Sequence, residues 1–217
     1  MPAIALDPAT DILGIIDVQP TFMPGGALAV AGGDAVVPVI NRLLAGPFLH
    51  AFATQDWHPP GHASFAVTHG RQPYETVTLH YGEQVLWPEH GVQGTAEAAL
   101  HPALDQARIE LVVRKGFHRH IDSYSAFFEN DRTTPTGLHG WLQERGFRRV
   151  FLAGLATDYC VAFSAEDAVR LGYDVFIVED ACRGIGLPVE GGGTTIDAAR
   201  RRLEAMGVRF VTSDALG

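Results

Sequence analysis

A chain of 217 residues with 47% apolar and 19% charged side chains can bury a large core without disulfide or metal staples, which excludes a disordered or cross-linked miniature fold. Sixteen basic residues against twenty-five acidic ones give a formal charge of -9, and no run of Lys or Arg is present to neutralise a phosphate backbone, so nucleic acid is disfavoured as a partner. No apolar stretch approaches the roughly 20 residues of a membrane span, and the N-terminal MPAIALDPATD does not resemble a secretory signal, so a cytoplasmic protein that binds no membrane is expected.

In chain order, the apolar run 12–16 predicts a first strand, and Val37, Ile40 and Leu44 then share one helical face after Asp34. Runs 48–54 and 109–113 predict two further strands. Between them, residues 66–86 are too many for an ordinary connection and read as a functional insertion or a subunit contact, the latter allowing a homo-oligomer. Leu138, Trp141 and Leu142 share a helical face before Gly146, and 150–153 predicts the fourth strand. Val161, Ala165 and Ala168 fall at helical spacing behind the cap candidates Thr157 and Asp158. Run 175–178 follows, then a stripe of Ile196, Ala199, Leu203 and Met206 between Thr194 and Gly207, and a last run at 208–211. Near-continuous apolar strands alternating with helices imply a single α/β domain over 1–217. Its architecture is expected to be a three-layer α/β/α, Rossmann-like one with a six-stranded, mainly parallel sheet.

Ligands of such sheets bind beyond the carboxyl ends of the strands. The first strand runs into Asp17, the second into Asp56, the third into Lys115, and the fourth into Gly154-Leu155-Ala156-Thr157-Asp158-Tyr159-Cys160. Alone, each is an ordinary strand cap, and Cys160 an ordinary buried thiol. Together they bring four reactive side chains to one rim. Cys160 lies at the start of a predicted helix, where backbone N–H groups favour a thiolate, and Lys115 adds to this. Asp17 can take the thiol proton and later hand it to a leaving amine.

Asp56-Trp57-His58 places a carboxylate and an imidazole two residues apart, and His90 completes an Asp/His/His set. Three protein ligands with open positions suit one catalytic divalent metal, with His62 as a fourth ligand or an outer-shell donor. Zn, Fe and Mn all accept such donors. Cys160 and Cys182 are the only cysteines, too few for a disulfide framework, and Cys182 is assigned to packing. His118 and His120 read as exposed, and Gly191 to Gly193 as a loop rather than a phosphate cradle, because no Lys-Ser/Thr pair follows. The absence of Gly-x-Ser-x-Gly and Gly-x-Gly-x-x-Gly disfavours a serine hydrolase or a dinucleotide enzyme.

These residues resemble the nicotinamidase/pyrazinamidase branch of the isochorismatase-like cysteine hydrolases, over nearly the whole chain. The resemblance rests on Asp17-Val18-Gln19, Asp56-Trp57-His58-Pro59, Trp87-Pro88-Glu89-His90, Arg114-Lys115-Gly116, Ile121-Asp122-Ser123-Tyr124-Ser125-Ala126-Phe127-Phe128 and Gly154 to Val161. It implies hydrolysis of nicotinamide, and also of pyrazinamide, through a thioester on Cys160. The oxyanion is then held by the backbone N–H groups of Ala156 and Cys160. It further implies a cis peptide at Leu155-Ala156, a ring held between Phe22 and Trp87, Tyr124 lining the pocket, and a metal that binds the pyridine nitrogen. Two departures from the family pattern stand out. Pro20-Thr21 replaces the usual Asn-Asp, which puts substrate breadth in question, and Gly91 replaces a common Cys.

Three other readings compete. A metal-independent amidase of carbamoyl or ureido compounds would make Asp56, His58 and His90 incidental. A non-enzymatic binding domain would need neither the Cys nor the Lys. A thiol redox protein would pair Cys160 with Cys182.

Overall fold

The computed structural model describes residues 4–217; the first three residues of the N-terminal stretch read above lie outside them. In chain order the elements are β1 (Asp11–Ile16), α1 (Val36–Ala45), β2 (Ala51–Asp56), β3 (Thr76–Leu79), β4 (Gly82–Val85), β5 (Leu111–Lys115) and α2 (Leu138–Glu144). After these come β6 (Arg149–Leu155), α3 (Ala162–Arg170), β7 (Asp174–Arg183), α4 (Thr195–Ala205) and β8 (Arg209–Val211). No helix among the described residues is long and apolar enough to cross a membrane.

Six strands form one sheet in the order β5-β2-β1-β6-β7-β8, and every pairing in it is parallel. The period of two along β1 sends Leu13 and Ile15 to one face and Ile12 and Ile16 to the other. Leu13, Ile15, Phe151 and Phe176 pack with Val36, Ile40, Leu43 and Leu44 of α1. Ile12, Ile16, Val150, Leu152 and Ile177 pack with Leu138 and Leu142 of α2, Ala165 and Ala168 of α3, and Ala199 and Leu203 of α4. Both faces are covered, so the strands are apolar throughout, and each fully buried large side chain contributes about 1.5–3 kcal/mol. The α/β three-layer architecture is the one expected.

Three local differences from the expected elements have physical causes. The second strand starts at Ala51 rather than at residue 48 and runs on through Asp56, because the backbone of Asp56 pairs with Lys115 of β5. The seventh strand extends to Arg183, past an irregularity that sets Cys182 beside Gly154. Asp158 does not cap α3: its carboxylate accepts from the N–H groups of Ile185 and Gly186, both at 2.9 Å, and from the Thr195 hydroxyl. The turn that carries Cys160, Thr157–Val161, is thereby tied to the start of α4 rather than to its own helix. At the start of α4, Thr194 and Asp197 form a reciprocal capping box.

Residues 66–86 fold as a short helical turn, Ala66–His69, followed by the antiparallel hairpin β3–β4. This hairpin presents Gln84, fully buried, to the rim of the main sheet.

Candidate active site and metal centre

The order of the sheet reverses between β1 and β6, since the chain builds outward from β1 through β2 to β5 and then returns to β6. A crevice opens at such a switch point beyond the strand ends. Asp17 leaves β1 here in a left-handed conformation (φ 47°), one that Asp tolerates better than most residues. Its neighbour strand can come this close only at Gly154, where an added Cβ would lie 2.1 Å from the Ile16 carbonyl oxygen. The peptide bond between Leu155 and Ala156 is cis. The Ala156 amide donates to no acceptor among the described residues.

Asp17, Lys115 and Cys160 meet at the floor of the crevice. Nζ of Lys115 is 2.8 Å from Oδ2 of Asp17, 3.4 Å from Sγ of Cys160 and 3.0 Å from the Ser123 carbonyl, and it also pairs with Oδ1 of Asp56. The Thr54 hydroxyl donates to Oδ1 of Asp17 at 2.6 Å and accepts from its backbone N–H at 3.1 Å. That leaves Oδ2 facing lysine and thiol, and its 2.8 Å approach to Lys115 lacks hydrogen-bond alignment, so this oxygen keeps a lone pair free.

Burial raises the Asp17 carboxyl to about 6, with Lys115 opposing and Asp56 adding to the rise. Burial also acts against the Lys115 charge, but Asp17 and Asp56 outweigh it and hold the ammonium above the ordinary lysine range. The Cys160 thiol is pushed well up, first by burial and then by the two carboxylates, against the pull of Lys115. Burial and the two carboxylates thus act on Cys160 against the thiolate that a helix start and Lys115 favour.

Asp56, His58 and His90 converge next to this centre, all buried. The side chains of Thr54 and Asp56 share one face of β2, while the Gln19 amide pins the strand end by accepting from the Asp56 N–H at 2.8 Å and donating to its carbonyl at 3.0 Å. His58 Nδ1 bonds the Gly116 carbonyl at 3.0 Å, and His90 Nδ1 bonds the Pro88 carbonyl at 2.8 Å. A carbonyl can only accept, so both Nδ1 atoms carry hydrogen and both Nε2 atoms are left with lone pairs. Those lone pairs stand 3.6 and 3.5 Å from Oδ2 of Asp56, and His58 Nε2 has no hydrogen-bond partner. Three acceptors facing one point without a donor fit a cation. Burial lowers the His58 pKa, but Asp56 and then Asp122 more than reverse it, as expected of a spot that attracts positive charge.

His62 stacks on His58 with ring centroids 4.2 Å apart. Its Nε2 reaches the carbonyls of His118 and Ile121 at 3.2 and 3.1 Å, and its Nδ1 bonds the Ser64 hydroxyl at 2.8 Å. Both nitrogens are engaged, which favours the outer-shell alternative over a fourth ligand. Burial, then His58, lowers its pKa to about 4.

Phe22, Trp87 and Tyr124 line one cavity with Asp56, His90, Ala156 and Cys160. The cavity is small, about 20 Å³. A larger one, about 220 Å³, lies behind β7 against α4 and holds Cys182, away from the crevice. Burial pushes the Cys182 thiol up to about 12, in keeping with packing. His118 is exposed and pairs with Glu129 at 2.6 Å. The loop at the altered Pro20-Thr21 is anchored: Thr21, fully buried, accepts the Gly91 N–H at 3.3 Å. Sequence reasoning missed Gln19, Thr54, Gln84 and Asp122 as parts of the site. Thr54 had a signal, its place two residues before Asp56 on a strand of period two.

Fold and site together define an α/β protein that buries a Cys, Lys and Asp centre beside a carboxylate and imidazole cluster at the switch point of a parallel sheet. The isochorismatase domain family model matches residues 11–214, and the chain belongs to that family. It is 50% identical over 200 residues to the nicotinamidase of Acinetobacter baylyi, covering 92% of this chain and 91% of that one. The solved nicotinamidase/pyrazinamidase of Acinetobacter baumanii superposes with a TM-score of 0.91 at 48% identity, covering 96% of this chain and 99% of that one. The pyrazinamidase of Pyrococcus horikoshii, solved in complex with zinc, superposes with a TM-score of 0.72 at 30% identity, covering 93% and 98%.

Proposed function

We propose that the chain is a nicotinamidase that hydrolyses nicotinamide to nicotinate and ammonia in a reducing cytoplasm, with Cys160 as nucleophile. The likeness to nicotinamidases, half of the residues being identical in one case, supports the substrate. The observation that carries the reading is the convergence of Nε2 of His58 and Nε2 of His90 on a carboxylate oxygen of Asp56, with Asp56 and His90 in the wall of the same cavity that Cys160 lines. An amidase of open-chain carbamoyl compounds has no use for a buried cation site there, whereas an aromatic nitrogen does.

Asp56, His58 and His90 would hold one divalent ion. When bound, it supplies a Lewis-acid position for the pyridine nitrogen and so orients the ring. Zinc is the ion of the Pyrococcus horikoshii structure, and Fe or Mn suits the same donors.

The chain's own residues carry the chemistry. Phe22 and Trp87 hold the ring, and Oδ2 of Asp17 takes the Cys160 proton as Sγ attacks the carboxamide carbon. Lys115, 3.4 Å from Sγ, balances the charge that develops. The oxyanion faces the N–H groups of Ala156 and Cys160. Asp17 then gives its proton to the amine, ammonia departs, and the nicotinoyl group remains on Cys160 as a thioester. Asp17, again a carboxylate, takes a proton from water as the water attacks that thioester. Nicotinate leaves and the proton returns to Sγ. Pyrazinamide, which offers the same carboxamide and a ring nitrogen, follows the same route.

The test is ammonia release from nicotinamide by purified protein, alongside Cys160→Ala and metal-stripped enzyme. Turnover is expected for the parent, with loss in Cys160→Ala and recovery of the stripped enzyme on adding Zn, Fe or Mn. Turnover that survives Cys160→Ala, or ignores metal removal, overturns the reading.

A further inference from the structure

The hairpin β3–β4 has no part in the steps above, yet its one fully buried residue, Gln84, reaches the cavity wall. The Gln84 amide cannot be turned around. Its Nε2 faces Oδ2 of Asp122 at 2.8 Å and the Val85 carbonyl at 2.7 Å, and both of these only accept. Its Oε1 accepts from the Tyr81 hydroxyl at 2.9 Å and from Nδ2 of Asn130 at 3.3 Å. Flipping the amide would set an oxygen against a carboxylate and a nitrogen against another amide nitrogen.

This polarity passes to Tyr124. The Tyr124 oxygen stands 2.9 Å from Nε2 of Gln84 and 3.0 Å from Nε1 of Trp87. An amide nitrogen and an indole N–H offer no lone pair, so the phenol proton goes to neither. Trp87 donates to the oxygen, the Gln84 nitrogen stands against it with its two hydrogens shared among Asp122, Val85 and Tyr124, and no acceptor for the Tyr124 O–H lies within hydrogen-bond reach among the described residues. The direction that remains leads into the cavity Tyr124 shares with Cys160, Phe22 and Asp56.

We propose that Tyr124 donates a hydrogen bond to an acceptor atom of the bound carboxamide substrate, and that Gln84 is the positioning residue that keeps this hydroxyl a donor toward the cavity. The proposal rests on the nicotinamidase reading and adds a contact to it that does not depend on the metal. The hairpin is then a specificity element, because it makes this part of the wall a donor and so favours ligands with an acceptor there over ligands with an N–H.

The experiment is a double-mutant cycle on the holoenzyme with Tyr124→Phe, Gln84→Met and the pair. Steady-state nicotinamide hydrolysis is one readout, and calorimetric binding of nicotinate, which needs no turnover, is the other. A neutral hydrogen bond present throughout the reaction predicts that Tyr124→Phe raises KM and the nicotinate Kd about three- to tenfold while kcat holds. Gln84→Met should shift the same constants in the parent background and add nothing to Tyr124→Phe. Circular dichroism and metal content certify that each variant is folded and loaded. Unchanged constants in Tyr124→Phe, or an equal cost of Gln84→Met in both backgrounds, overturn the proposal. A parent that binds nicotinate tightly but releases no ammonia overturns the nicotinamidase reading alone, and the binding cycle still decides this contact.

Discussion

Replacing Gly116 by alanine tests how closely the proposed metal cluster is built. Gly116 sits at φ +61°, and an added Cβ would lie 2.3 Å from Cε1 and 2.4 Å from Nδ1 of His58, whereas ordinary contacts begin near 3.4 Å. The ring would have to retreat by about 1 Å, several times the roughly 0.2 Å tolerance of a metal-ligand distance. It has nowhere to go, because His62 stacks 4.2 Å behind it and Phe65 and His90 stand edge-on at 5.6 and 4.9 Å. The left-handed backbone adds about 1 kcal/mol for a residue with a Cβ, and the bond from Nδ1 to the Gly116 carbonyl is strained or lost. Loss of such outer support lowers metal affinity by about 10- to 100-fold, or roughly 1.4–2.8 kcal/mol. Competition against a chromophoric chelator measures the zinc Kd of parent and Gly116→Ala, and nicotinamide turnover should recover at saturating zinc. A folded Gly116→Ala protein with the parent's zinc affinity would refute the assignment of His58 to the cluster.

Asp17 must be ionised to accept the thiol proton, and its pKa stands at about 6. The kcat/KM profile should therefore lose activity as pH falls through about 6, and a profile flat to pH 5 would remove Asp17 from the role of base. Thr54 lowers the Asp17 pKa through its hydrogen bond, so Thr54→Val should move that acid limb to higher pH and reduce kcat/KM about tenfold, both read from the same pH series. Asp17→Asn should cut kcat by about 10²- to 10⁴-fold, measured as ammonia release at neutral pH. Thr194→Ala removes the cap of α4 and should lower stability by about 1 kcal/mol, visible as a small drop in calorimetric Tm.

What was legible in the sequence was whatever interrupts an apolar run. Asp17, Asp56 and Lys115 stand where strands end, and a charge at that place is visible without knowing what it faces. The sheet was legible for the same reason, since buried parallel strands are apolar on both faces. The supports were not. Thr54 and Gln19 look like ordinary polar residues, and each meets its partner 37 positions away. Gln84 lies in a hairpin whose polar alternation reads as surface, and it meets Asp122 and Tyr124 across 38 and 40 positions of the chain. The surroundings of Cys160 were legible only in part, because a helix-start argument counts the dipole and the lysine but not the two carboxylates and the burial around the sulfur. Asp158 reads as a cap in the sequence because its partners, Ile185 and Gly186 in the loop after β7 and Thr195 at the start of α4, are remote from it along the chain.

Asp56 turns its two oxygens to different neighbours, Oδ1 to Lys115 and Oδ2 to the paired imidazoles. A single carboxyl carbon thus joins the imidazole cluster to the lysine beside Cys160. An ion drawn to Oδ2 would withdraw electron density from Oδ1, so it would loosen the grip on Lys115 and leave more of its charge for Asp17 and Cys160. A change at the imidazoles would thus reach a sulfur that does not touch them.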